Sequence, residues 1–141
     1  MVQRKSKSAI ISLSSMSAVH PLPYFSAYGA TKISIDYLTK ALKAEYPNID
    51  WISLKPNFVD TNINNHMKTI QTVDPEGVVE GTIADLGKYT ETYGHWKHQI
   101  INTFLRNVPI WIVLKVFKNI MIPQIKGHHD KHRHELEKKN I

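Results

Sequence analysis

The chain has 141 residues, of which 42% are hydrophobic and 21% are charged, a composition typical of one folded domain and not of a disordered or fibrous chain. The absence of cysteine excludes disulfide bonds and thiolate metal sites. The formal net charge of +6 is spread along the chain without interleaved aromatic residues, so we expect attraction to phosphates or to an anionic membrane face and no nucleic-acid partner.

An apolar, β-branched run begins the predicted structure. Residues 8–14 predict a strand that is buried on both faces, as in a parallel sheet. The basic residues before it lack the apolar core of a secretory signal peptide, and we expect Met1 to correspond to an internal methionine of a longer ancestor. Two prolines in residues 16–25 then favour an extended loop.

From Ser26 the apolar residues recur at helical spacing, which predicts a helix that ends before Pro47. They form two stripes, so we expect this helix to be covered on two sides. The stripes are Ala30, Ile33, Tyr37 and Ala41, and Ile35, Leu38 and Leu42. Residues 51–54 predict a second buried strand.

A polar loop separates the second strand from a second predicted helix. Asp74 as N-cap and Pro75 in the first turn indicate where that helix begins, and it ends near Gly87. Residues 90–96 predict a last short strand, because Thr, Tyr and Trp favour pleated surfaces.

Residues 97–122 predict helix with a break at Pro109, and the second half is amphipathic. Its apolar face consists of Ile110, Val113, Leu114, Phe117 and Met121. Cationic residues interrupt the apolar run, which leaves no stretch of roughly 20 residues to span a bilayer. The face with Trp111, Lys115 and Lys118 favours a helix that lies on a membrane or closes a substrate pocket, and a helix that only packs on the core explains the pattern equally well.

Strand, helix, strand, helix, strand is the alternation of a parallel α/β sheet. The predicted fold class is α/β, the C-terminal half of a Rossmann-like doubly wound parallel sheet with C-terminal amphipathic helices. We predict that residues 1–125 form this partial domain and that residues 126–141 form a basic, histidine-rich tail. His128 and His132 lie one helical turn apart, but no third ligand accompanies them and we predict no metal site.

Ser15, Tyr28 and Lys32 have the spacing of a site that reduces a carbonyl group. The phenol of Tyr28 can protonate the carbonyl oxygen while hydride reaches the carbon, and an ammonium group one turn away can lower the pKa of the phenol. The hydroxyl of Ser15 can hold the substrate oxygen. The alternative is that Lys32 belongs to a solvated, charged helix face that continues through Asp36, Lys40 and Lys43.

Three motifs together resemble the short-chain dehydrogenase/reductase family. They are Ser14-Ser15, Tyr28-Gly-Ala-Thr-Lys32 and Pro56-Asn-Phe-Val-Asp-Thr61. Within the family, the nearest resemblance is to the 17β-hydroxysteroid dehydrogenase group that includes very-long-chain 3-oxoacyl-CoA reductases, and it covers nearly the whole chain.

The resemblance implies a role for each candidate residue. Tyr28 is the general acid, Lys32 lowers the pKa of Tyr28 and contacts the nicotinamide ribose, and Ser15 orients the carbonyl group. Thr61 and the backbone of Val59 meet the nicotinamide carboxamide. The implied cofactor is NADP(H), and the implied substrate is a 3-oxoacyl-CoA or a steroid ketone of lipid metabolism.

The sequence also departs from the family pattern. The glycine-rich phosphate turn is absent, and Gly77 and Gly81 fall inside a predicted helix. We therefore expect a fragment that lacks the dinucleotide-binding half, and its own activity stays open. The alternative is a truncated, non-catalytic module that forms a homo- or hetero-dimer with a full-length reductase, since the helix of Tyr28 and Lys32 packs against a second subunit in this family.

The C-terminal sequence Lys138-Lys139-Asn140-Ile141 resembles the di-lysine signal for retrieval to the endoplasmic reticulum, which is read on the cytosolic side. It predicts a location on the cytosolic face of the endoplasmic reticulum membrane. The exact substrate and the choice between NADPH and NADH stay open.

Overall fold

The computed structural model describes residues 6–139, in which three parallel strands form one sheet. The strands are β1 (Ser8–Leu13), β2 (Ile49–Leu54) and β3 (Glu91–Thr92), in that order across the sheet. β1 and β2 pair in register along their whole length, whereas β3 adds one short pairing to the end of β2. The predicted α/β class with a parallel sheet is confirmed.

Within residues 6–139, five α-helices accompany the sheet. They are α1 (Ser26–Glu45) between β1 and β2, α2 (Pro75–Asp85) between β2 and β3, and α3 (Trp96–Arg106), α4 (Ile110–Val116) and α5 (Ile122–Lys139) after β3. A π-helical segment, Phe117–Met121, joins α4 to α5. Residue 126, where the sequence predicts a separate tail, lies inside α5.

The structure confirms the helix ends that the sequence predicts. The carboxylate of Asp74 accepts the N–H of Gly77 at 2.7 Å and so caps α2. α1 ends at Glu45, two residues before Pro47, and Pro109 separates α3 from α4. Gly87 follows α2 with a φ of +78°, a left-handed conformation that glycine adopts without a steric penalty.

The two longer strands differ in burial. β2 is buried on both faces, as predicted. β1 pairs only with β2 among residues 6–139, and Ile11 and Leu13 are exposed. The prediction that the first strand is buried on both faces is therefore wrong for the described chain, because the face of β1 that carries Ile11 and Leu13 is not covered by another element.

α1 covers the sheet with one of its faces. Thr39 is buried on that face, and Ile35 and Leu42 are half-buried. Ile33 and Tyr37 lie on the opposite face and are exposed, Tyr37 by 77%. The expectation that both stripes are covered is wrong within residues 6–139, where α1 presents an apolar row to solvent.

A buried lysine organises the charges between α1 and the sheet. Lys55 directly follows β2 and is 2% exposed, and its ammonium group lies 2.6 Å from the carboxylate of Glu91. The carboxylate of Asp36 lies 3.5 Å from the same ammonium. Lys40 contacts both acids, at 2.8 Å from Glu91 and 2.9 Å from Asp36. Asp36 therefore points into this cluster and does not belong to a solvated helix face.

The cluster places two ammonium groups beside two carboxylates. Burial opposes the ionisation of Glu91, but hydrogen bonds from Lys40 and Lys55 outweigh it and lower the pKa of Glu91 to about 2. Removal of one partner from a buried ion pair leaves an uncompensated charge, which destabilises a protein by about 3–5 kcal/mol. The position of α1 on the sheet thus depends on the pairing of Lys55.

We predict that Glu91→Gln lowers the free energy of unfolding by about 3 kcal/mol, because Lys55 then keeps only the more distant Asp36. The double variant Lys55→Met/Glu91→Gln should recover most of this loss, since the buried charge is gone. Urea unfolding of both variants measures the effect, and a double variant that is less stable than Glu91→Gln would contradict the assignment.

Candidate active site

The carboxyl ends of the three parallel strands lie at one edge of the sheet, where ligands bind in open α/β folds. Hydrogen bonds continue the pairing of β1 beyond its last residue. The N–H of Ser14 donates to the carbonyl of Leu54 at 2.8 Å, and the N–H of Met16 donates to the carbonyl of Pro56 at 3.1 Å. Ser15 lies between these two bonds, so its backbone is fixed against the segment that follows β2.

Ser15 caps a short 3₁₀ turn, Met16–Ala18, and its Oγ accepts the N–H of Ser17 at 3.2 Å. A hydroxyl that accepts a backbone N–H keeps its own proton for donation to a ligand. Gly29 packs against this turn, and a Cβ there would lie 3.1 Å from the carbonyl oxygen of Ser17. The missing side chain thus allows the first turn of α1 to approach the turn of Ser15 closely.

Two reciprocal hydrogen bonds join α1 to the end of β1. The ammonium group of Lys32 donates to the carbonyl of Leu13 at 3.0 Å, and the hydroxyl of Ser14 donates to the carbonyl of Lys32 at 2.8 Å. Ser14 is buried. The side chain of Lys32 is therefore directed to the carboxyl end of β1 and not to a solvated helix face.

The phenol of Tyr28 is half exposed beside this lysine. The ammonium group of Lys32 lies 5.5 Å from the centroid of the Tyr28 ring. Phe25 meets the Tyr28 ring edge-to-face at 6.3 Å and in turn meets Phe117 at 5.9 Å. The π-helical segment thus supports the tyrosine through one intervening aromatic ring.

This geometry suits proton transfer to a carbonyl oxygen. The phenol is accessible from solvent, and a cation beside its ring stabilises the negative charge that remains after proton transfer. The structure brings Tyr28 and Lys32 together and places Ser15 on the adjoining turn. Their catalytic roles stay predictions.

Val59 and Thr61 lie in the loop after β2, and their hydrogen bonds remain within it. The carbonyl of Val59 accepts the Asn64 amide at 2.8 Å and the Thr61 hydroxyl at 3.4 Å. Val59 also forms an isolated parallel bridge with Val73. No hydrogen bond in residues 6–139 links this loop to Ser15, Tyr28 or Lys32, so the cofactor roles of Val59 and Thr61 stay predictions.

A buried polar network fixes the start of this loop. The ring of His98 on α3 is fully buried, with Nδ1 accepting the N–H of Asn57 at 3.4 Å and Nε2 lying 3.0 Å from the carbonyl of Gln71. The amide of Asn102 donates to the side chain of Asn57 at 3.1 Å, and the Asn57 amide donates to that of Gln71 at 3.3 Å. These partners require a neutral imidazole with its proton on Nε2.

Sequence reasoning missed both Lys55 and His98. A lysine directly after a buried strand is a signal for a buried charge, but its partner Glu91 lies 36 residues further on. His98 and Asn102 are one helical turn apart and opposite an apolar row, which reads as a solvated face of α3. Only the fold reveals that this polar side is turned inward.

The chain supplies candidate residues for the nicotinamide end of a dinucleotide. Lys32 lies at the carboxyl edge of the sheet and the Thr61 hydroxyl lies in the loop after β2, and their contacts with the cofactor stay predictions. Gly77 and Gly81 form no phosphate cradle, because both lie in α2 and a Cβ on Gly81 would collide with the carbonyl of Gly94. A pyrophosphate site of the glycine-rich type is therefore not formed by these residues.

The described part of the chain lacks a metal site and a membrane-spanning helix. Residues 6–139 contain no group of three His, Asp or Glu side chains placed to hold a metal ion. His128 instead bonds to the backbone carbonyl of Asn65 at 3.1 Å. In the same residues, no helix combines the length and apolar character needed to cross a membrane.

Comparisons with known proteins identify relatives of the chain. The sequence profile of the family described as short chain dehydrogenase matches residues 1–71. The chain is 34% identical over 123 residues to the very-long-chain 3-oxoacyl-CoA reductase of Homo sapiens, covering 85% of this chain and 39% of that protein. The Rattus norvegicus protein of the same name is 35% identical over 124 residues, with 86% and 38% covered.

A human relative named inactive hydroxysteroid dehydrogenase-like protein 1 is 32% identical over 119 residues, which is 79% of this chain and 36% of that protein. The chain thus spans about two fifths of the length of these curated relatives. No solved structure matches at a significant level.

The burial of His98 predicts a loss of stability in mild acid. Burial lowers the pKa of His98 below its usual value and outweighs the hydrogen bond to Gln71, which raises it. Because the unfolded state then binds the proton more readily, the free energy of unfolding should fall as the pH drops below about 6.5.

His98→Gln should reduce this dependence on pH, whereas His134→Gln, at an exposed site on α5, should leave it unchanged. His20 contributes the remainder, since burial and nearby Arg106 lower its pKa too. Urea unfolding at neutral pH and at pH about 5.5 measures the difference. Equal pH dependence in wild type and His98→Gln would refute the neutral, buried imidazole.

Proposed function

The chain belongs to the short-chain dehydrogenase family, and we propose that it acts as part of an oxidoreductase that uses NADPH to reduce the 3-oxo group of a long-chain acyl-CoA or a steroid ketone. The position of Lys32, bonded to Leu13 and 5.5 Å from the Tyr28 ring, carries this proposal. Similarity to very-long-chain 3-oxoacyl-CoA reductases supports the acyl-CoA substrate.

In the proposed reaction, a nicotinamide dinucleotide supplies hydride to the carbonyl carbon. The hydroxyl of Ser15 donates a hydrogen bond to the carbonyl oxygen and orients it. The phenol of Tyr28 transfers its proton to that oxygen, so that the ketone becomes an alcohol. Lys32 stabilises the phenolate that remains, because its ammonium group is held beside the ring.

Tyr28, Lys32, Thr61 and the backbone of Val59 are the residues of this chain that we propose for the nicotinamide half of the cofactor. A phosphate turn is not supplied by Gly77 or Gly81. The proposal therefore concerns the chain as one part of a reductase and does not require that the 141 residues reduce a ketone by themselves.

We also propose a location on the cytosolic face of the endoplasmic reticulum membrane. Support comes from the two lysines third and fourth from the C-terminus, Lys138 and Lys139. α5 extends to Lys139, and Asn140 and Ile141 lie outside the described residues.

The reductase proposal predicts that this chain, when joined to the glycine-rich, dinucleotide-binding half of a related reductase, oxidises NADPH after a long-chain 3-oxoacyl-CoA is added. Tyr28→Phe should lower the rate by at least about 100-fold, because the proton donor is lost. Tyr37→Phe, an exposed tyrosine on the same helix, is the matched control and should retain the wild-type rate. Equal rates for Tyr28→Phe and wild type would remove Tyr28 as the acid.

A second candidate function is supported by the apolar surfaces that α1 and β1 expose. α1 exposes an apolar row that includes Ile33 and Tyr37, and β1 exposes Ile11 and Leu13 at the edge of the sheet. We propose as the alternative that the chain is a non-catalytic module that pairs with a full-length reductase through these surfaces. A relative that is itself named inactive is consistent with such a role.

The alternative predicts that the chain co-purifies with a full-length very-long-chain 3-oxoacyl-CoA reductase. Ile33→Asp/Tyr37→Asp should weaken binding by about tenfold or more, because charges would enter the apolar contact. Ile83→Asp/Tyr89→Asp replaces the same residue types at exposed sites outside α1 and should bind like wild type. Failure of the wild-type chain to bind, or equal binding by both variants, would exclude pairing through α1.

A further inference from the structure

α3 has the reverse of the usual distribution of polar and apolar side chains. Trp96, Ile100 and Phe104 form a row with one helical turn between neighbours, and they are 64%, 60% and 68% exposed. His98 and Asn102 on the opposite side are fully buried. A helix on the surface of a soluble domain normally turns its apolar stripe to the core. The outward row of α3 is therefore available to a partner with an apolar interior.

The charge of this part of the chain narrows the choice of partner. From residue 92 to residue 129 the sequence contains five Lys or Arg residues and no Asp or Glu. Two of these cations have acidic neighbours elsewhere in the chain. The guanidinium group of Arg106 lies 3.6 Å from the carboxylate of Glu91, and the charge of Lys97 helps to lower the pKa of Asp74. Lys126 on α5 lies 5.8 Å from the centroid of the Tyr24 ring. Lys115 on α4 and Lys118 in the π-helical segment are exposed and have no ion pair within residues 6–139. Unpaired positive charge thus lies on α4 and on the π-helical segment, which follow the apolar row in the chain.

Exposed tryptophan residues in this part of the chain are typical of a surface that binds at the water–lipid interface. Trp96 and Trp111 are exposed, and the ammonium group of Lys97 lies 5.8 Å from the Trp96 ring. Tryptophan is enriched at membrane interfaces, because its ring is apolar and its N–H is polar. A second copy of this chain fits less well, because two surfaces with the same positive charge would repel each other.

We propose that α3, α4 and the π-helical segment bind the surface of an anionic lipid bilayer, with Trp96, Ile100 and Phe104 in the headgroup boundary and with Lys115 and Lys118 beside anionic headgroups. The helices lie on the bilayer and do not cross it. Apolar burial and electrostatic attraction together give such binding its strength. The contact is independent of carbonyl reduction, so a chain without reductase activity would still bind.

Flotation of the full chain with lipid vesicles tests the contact. Vesicles of phosphatidylcholine with phosphatidylserine should carry the protein upward at low salt, and vesicles of phosphatidylcholine alone should carry much less. Ile100→Ser/Phe104→Ser should lower the partition coefficient by about tenfold, because the apolar row is lost. Lys115→Glu/Lys118→Glu should lower it by at least about tenfold on the anionic vesicles.

Matched variants keep the test specific. Ile63→Ser/Ile83→Ser removes exposed apolar residues outside α3, and Lys88→Glu/Lys131→Glu reverses exposed lysines outside α4 and the π-helical segment, so both should float like wild type. No flotation of the wild-type chain, or equal loss in the matched variants, would overturn the proposal. Sedimentation of a dimer that Ile100→Ser/Phe104→Ser dissociates, without flotation, would overturn it in favour of a second copy.

Discussion

The candidate site depends on two hydrogen bonds between the first strand and the helix that follows it. Lys32 donates to the carbonyl of Leu13, and Ser14 donates to the carbonyl of Lys32. Because the two bonds run in opposite directions between the same segments, they fix both the position of α1 and the direction of the lysine side chain. The position of Tyr28 is fixed by the same two bonds, since Tyr28 lies one helical turn before Lys32. The chemistry of the site therefore begins with the docking of α1 on β1.

Two buried polar side chains hold segments of the fold together, and two helices leave apolar rows exposed. Lys55 is buried among the acids that face the sheet, and His98 is buried where it bonds to the loops around Asn57 and Gln71. The same helices expose apolar rows, with Tyr37 on α1 and Phe104 on α3. The buried polar contacts fix the geometry near the sheet edge, and the exposed apolar rows are the surfaces at which both proposed partners of this chain, a reductase and a membrane, would bind.

Local signals in the sequence predicted much of the fold. Asp74 and Pro109 set helix ends because capping and the missing N–H of proline act within one turn. The Tyr28/Lys32 pair was predictable from helical spacing. The exposure of Ile11 could not be predicted. An apolar run shows that a strand can be buried, but it does not show whether another element covers the strand. The pairing of Lys55 with Glu91 needs the fold, because distant segments supply the charges.

The central claim is that α1 docks on β1 and holds Lys32 beside Tyr28. Its most direct test is a measurement of the nuclear Overhauser effects between the ring protons of Tyr28 and the methylene protons next to the ammonium group of Lys32. Docking of α1 on β1 predicts these effects in the wild-type chain, because the ammonium group lies 5.5 Å from the ring centroid. It also predicts that they weaken in Ser14→Ala, which removes one of the two bonds. A wild-type spectrum without them, in which Lys32 has the averaged signals of a solvent-exposed side chain, would contradict the account.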